Sequence, residues 1–199
     1  MRRFCGTFEP DGAVPLSGPQ RFGPQLENTT AEGRTVTIGQ VGNNWLPMAG
    51  AAALFAGGAL AGALFQGNSG HTAVYFVVST MALIASMAPW LIRHPPAIHA
   101  NSGAYLVLAV AVELGSLLGG AIEILRGLGA WVVLGVGLAV YGHLERGRVM
   151  VTAGTLAALA GVLAIAADIP WLTVSLQLLT AGVFVVAAAR LRQLRLRSW

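Results

Sequence analysis

The sequence predicts an all-α, polytopic integral membrane protein: six transmembrane helices, both termini in the cytoplasm, and an irregular N-terminal cytoplasmic tail. Three observations carry this. Of 199 residues, 55% are hydrophobic and only 10% charged, with a mean hydropathy of +0.69; soluble domains carry about 25% charged residues. Nearly uncharged windows of about 20 residues, long enough to cross a bilayer, recur along the chain. The basic residues, twelve arginines and no lysine, gather at the ends of those windows. A membrane barrel would instead alternate over strands of about ten residues, and no such alternation appears.

Residues 1–44 differ from the rest. They hold seven Gly, four Pro, four Arg and four acidic residues. No apolar stretch follows Arg2-Arg3, so this start does not read as a secretory signal peptide. The composition is that of a flexible tail. Phe4, Phe8 and Phe22 could instead anchor it on a partner protein, with Thr35–Ile38 adding as a short strand.

Residues 45–199 form the membrane domain, with a short basic C-terminal extension. The first span, Trp45–Phe65, starts with Pro47 in its first turn, where a helix tolerates proline. Its Gly58-xxx-Gly62 is a small-residue pair of the kind that lets helices approach closely. The second span, Thr72–Ile92, contains Pro89, which should kink it or end it early. The third, Ala104–Ile124, carries a second such pair, Gly115-xxx-Gly119. The fourth, Gly129–Tyr141, is short unless Gly142 and His143 are included. The fifth, Val149–Ala167, places Gly154, Ala158 and Gly161 on one side. The sixth, Trp171–Ala189, runs on into Arg190, Arg192, Arg195 and Arg197, a cationic end able to lie along anionic headgroups. The tryptophans fall near span ends, as an interfacial belt requires.

With six spans, eleven of the twelve arginines fall on the side of the two termini, and Arg126 alone faces the other. The positive-inside rule then puts both termini in the cytoplasm of a bacterial cytoplasmic (inner) membrane. The opposite loops are too short to form a domain.

The third span carries the sharpest chemistry. At 100° per residue, Ser102, Tyr105, Ala109, Glu113, Ser116, Gly120 and Glu123 share an arc of about 80°. A carboxyl in mid-membrane costs about 3 kcal/mol or more on insertion scales, which makes Glu113 a site candidate. It could carry a proton or cation, helped by Ser116 and by Gln177 or Tyr141 from other spans. It could equally pin helix packing through a hydrogen bond. Glu123 and Arg126 are spaced for an ion pair, with Asp168 on the same side. His94, His99 and His143, with Cys5, sit on the arginine-rich side and could hold a haem or metal. They lack any recognised ligand spacing, so no cofactor is expected. No phosphate-binding loop, zinc-protease or hydrolase motif is present, and an enzyme is not expected.

The leading functional expectation is a non-catalytic accessory or scaffold subunit of a larger membrane complex. It would pack through small-residue helix faces and through its tail, with Gly58, Gly62, Gly115 and Gly119 as helix-packing candidates within or between chains. The alternative is a small transporter or channel using Glu113, and a further one is a haem- or pigment-binding membrane subunit. Beyond lipid and membrane subunits, no nucleic-acid partner is expected, because the arginines mark helix ends.

Overall fold

The computed structural model describes residues 28–29, 35–36, 42–64, 69–93, 100–125 and 127–196. It is an all-α bundle of six helices: α1 (Trp45–Leu64), α2 (Ser69–Arg93), α3 (Ser102–Ala121), α4 (Gly129–Leu144), α5 (Arg148–Ala167) and α6 (Pro170–Leu196). Five of these are long and apolar enough to span a membrane. At 16 residues, α4 is about 24 Å long and falls short of a hydrocarbon core of about 30 Å. In the tail, β1 (Asn28–Thr29) pairs antiparallel with β2 (Thr35–Val36). The expected strand at Thr35 therefore finds its partner within this chain. Phe4, Phe8, Phe22 and Cys5 lie outside the described residues.

The helices close into a ring in chain order, α6 returning to pack along α1, while α2 also reaches α4 across the middle. Its two ends differ in charge. The basic end carries Trp45, Arg93, Arg146, Arg148 and Arg190; the far end carries Thr72, Asp168 and Trp171.

Small residues set the spacing. Along the α4–α5 seam the two backbones touch. A Cβ on Gly135 would sit 2.5 Å from the Ala158 nitrogen, and one on Gly142 would sit 2.6 Å from the Val151 nitrogen. With side chains this small, dispersion and short interhelical approach replace the hydrophobic effect, which is lost between helices in lipid. The two Gly-xxx-Gly pairs are also spent inside the chain. Gly58 and Gly62 face α6 and α2, whereas Gly115 and Gly119 face Val133 and the Gly129–Ala130 backbone of α4. The closest neighbours of these four glycines are therefore helices of this chain.

Four expectations about the elements change. The α2 helix does not end early at Pro89 but continues to Arg93. The α3 helix ends at Ala121, with Ile122 extended, and Glu123–Leu125 forms a separate 3-10 turn. Glu123 thus leaves the helical stripe, and its proposed partner Arg126 lies outside the described residues. The basic C-terminal segment through Leu196 continues α6 and folds onto α1 and α2. The guanidiniums of Arg192 and Arg195 stand 5.7 and 5.6 Å over the rings of Trp45 and Trp90, as cation–π pairs do. Lastly, Trp131 is fully buried in the core and does not join an interfacial belt. Position along a helix says how deep a residue lies, not which way it faces.

The seam makes a sharp prediction. Gly154→Ala would place its Cβ 2.8 Å from the Ala139 Cα, so it should lower stability in detergent by about 1–3 kcal/mol. Gly182→Ala meets nothing within 4 Å and should leave the unfolding temperature unchanged or raised. Equal melting of both variants would contradict the packing described.

Candidate functional site: a polar interior divided by an aromatic layer

Phe55 of α1, Phe76 of α2, Trp131 of α4 and Phe184 of α6 meet at the bundle axis, each with no exposed surface. Phe55 lies 5.6 Å from both Trp131 and Phe184 and 6.0 Å from Phe76, ring centre to centre; Phe76 and Trp131 stack at 6.3 Å. Pairs at these separations add about 0.5–1.5 kcal/mol each beyond their buried area. On α1, Phe55 separates Asn44 from Gly62; on α6, Phe184 separates Gln177 from Arg192. Along α1 and α6 the aromatic cluster thus lies between polar groups near the basic end and polar groups near the far end.

At the basic end, Tyr105 donates a hydrogen bond to Glu145 Oε1, and Tyr141 donates to Asn44 Oδ1 at 2.6 Å. The two tyrosine rings meet edge to face at 6.0 Å. Glu145 is buried because of the turn that carries it. The amides of Arg146 and Gly147 bond back to the carbonyls of His143 and Gly142, closing a Schellman-type cap with Arg146 left-handed at φ 53°. That cap tucks Glu145 beneath the helix ends. Asn44 Nδ2, Trp45 Nε1 and Glu145 Oε2 are buried with no hydrogen-bond partner.

At the far end, Gln177 is 1% exposed and neither its oxygen nor its nitrogen has a partner. Gly58 and Gly62 of α1 lie alongside it. A Cβ on Gly62 would lie 3.7 Å from Gln177 Oε1. Gln177 also lines a cavity of about 600 Å³ open to that end, with Gly62, Thr72, Asp168 and Trp171 in its wall.

On α3, Leu106, Val107, Val110, Leu114, Leu117 and Leu118 are exposed while Ser116 has no exposed surface. The stripe read from sequence overlaps the inward side, which is centred on Val112, Ser116 and Gly119, and runs to its edge: Tyr105, Ala109, Glu113 and Gly120 are half-buried and Ser102 is exposed. Gly120, on the same stripe, meets Ala73 and Val77 of α2. Both Glu113 oxygens and Ser116 Oγ are buried without a hydrogen-bond partner.

Of the sequence candidates, Glu113 and Ser116 stay together on one stripe. Tyr141 is engaged with Asn44, and Gln177 lies toward the far end. His143 is exposed at the end of α4, and His94 and His99 lie outside the described residues. Among the described residues no three His, Cys, Asp or Glu side chains gather as a metal site. Sequence reasoning missed Asn44 and Glu145, because a Glu followed by Arg in a short loop reads as a solvated pair. The capping geometry that buries it has no glycine to announce it. Comparison with models of protein families, with curated proteins and with solved structures finds no match for this chain.

Proposed function

We propose that this protein is a small membrane transporter whose coupling group is Glu113. One observation carries the reading. A carboxyl kept to pin helix packing should show the hydrogen bond that pins it, and Glu113 has none from the protein on either oxygen. A buried carboxyl without a protein partner is suited to holding a proton or a cation. The accessory-subunit reading comes second. It draws on the outer faces of α2 and α3, the least buried spans, which a partner helix or lipid would cover.

The proposed setting is a bacterial cytoplasmic membrane, with the basic end and both termini in the cytoplasm. Support comes from the arginine count, eleven at that end against one, and from the absence of lysine, as GC-rich bacterial codon usage favours.

Two outcomes are expected. In proteoliposomes carrying a pH-sensitive dye and an imposed potential, the wild type should pass protons or cations above the protein-free background, and Glu113→Gln should fall to that background. Flux unchanged by Glu113→Gln, or none in the wild type, contradicts the transport reading. For orientation, Cys5 is the sole thiol. A membrane-impermeant maleimide should reach it only after cells are opened, and labelling in intact cells contradicts the arrangement.

A further inference from the structure

We propose that the C-terminal end of α6 is a gate: a strap that closes the basic end of the bundle by stacking two arginines on two tryptophans. The proposal deepens the transport reading by naming the element that must open, and its test needs no flux.

At 27 residues, α6 is about 40 Å long, more than a hydrocarbon core of about 30 Å requires. The surplus lies at the basic end, where the helix crosses the start of α1 and the end of α2. There the Arg192 guanidinium stands 5.7 Å over Trp45, and that of Arg195 stands 5.6 Å over Trp90. The two indoles meet edge to face at 6.2 Å, and Trp90 Nε1 donates to the Asn43 carbonyl at 3.4 Å. Four side chains from three helices so form one clasp. Next to it α6 buries Leu191, 2% exposed, and α1 buries Met48, with no exposed surface. At its other end α6 begins beside the open cavity. Contacts close one end of this helix while a cavity opens beside the other, the asymmetry that alternating access predicts for a single state.

Two features suit the clasp to opening. Its contacts join side chains and are individually weak at exposed positions, so rotamer changes release them. The α4–α5 seam, backbone on backbone, has no such freedom. The closed form also keeps Asn44 Nδ2 and Trp45 Nε1 buried without a hydrogen-bond partner. Wetting these groups on opening recovers that cost, which brings the closed and open forms close in free energy.

The test uses full-length Cys5→Ser protein in mild detergent and reads the strap through two thiols, Leu191→Cys on α6 and Met48→Cys on α1. The rate of their reaction with N-ethylmaleimide, an uncharged reagent, should be slow. Arg192→Gln should speed both at least tenfold, Trp45→Leu likewise, and Arg192→Lys, which keeps a cation over the ring, by less. Arg190→Gln removes the same charge from an exposed position at the same end and should leave both rates unchanged. A third thiol, Leu134→Cys, 3% exposed in the middle of α4, should stay protected throughout. If Trp45→Leu fails to fold, Arg192→Gln, an exposed change, carries the test. The proposal is overturned by rates that ignore Arg192→Gln. An equal rise with Arg190→Gln also overturns it, as an effect of surface charge, and so does an equal rise at Leu134→Cys, as general loosening of the bundle. Rates that follow the clasp in a protein without flux would fail the transport reading alone.

Discussion

Hydrocarbon offers no hydrogen bonds, so a membrane helix must either lack polar side chains or turn them toward protein or water. That constraint organises this chain. Its acidic residues are few, and of those in the described helices Glu113 is half-buried at the edge of the packed side of α3, with both carboxyl oxygens buried. Asn44, Glu145, Gln177 and Ser116 follow the same rule, each fully or almost fully buried. What distinguishes the interior is that several of these groups remain unpartnered by protein. Polar atoms held in that state suit exchangeable partners, whether protons, ions or a ligand, better than a fixed scaffold.

The inward groups are held by two kinds of contact. Backbone-to-backbone packing of α4 on α5 brings a short helix and its neighbour close enough for a tight turn, and that turn buries Glu145. The aromatic cluster of Phe55, Phe76, Trp131 and Phe184 ties four helices together. The α6 helix joins both ends, with Gln177 on one side of the layer and Arg192 stacked on Trp45 on the other.

Much of the architecture could be read from the sequence, because hydropathy windows depend only on local composition. Six helices appear, five of them long and apolar enough to span a membrane, with ends moved by a few residues where capping and packing decide. The α3 stripe was legible too, since a single carboxyl on an apolar helix breaks a strong pattern. The radial facing of other residues was not. Trp131 sits near a helix end like an interfacial tryptophan, yet packing turns it to the axis. Gly58 and Gly62 fit a dimer contact equally well, and only the position of Gln177, more than a hundred residues later, assigns them to α6. Nothing in the sequence around Glu145 signals its burial, which follows from a left-handed arginine that no propensity rule favours.

Accessibility of Gln177 to water from one face alone decides whether the aromatic cluster blocks passage between the two ends. In a Cys5→Ser background, Gln177→Cys would be exposed in sealed vesicles of each orientation to a trimethylammonium methanethiosulfonate reagent. A blocked interior predicts modification from the face of Asp168 and protection from the face of the arginines. Equal modification from both faces, or from neither, would contradict it.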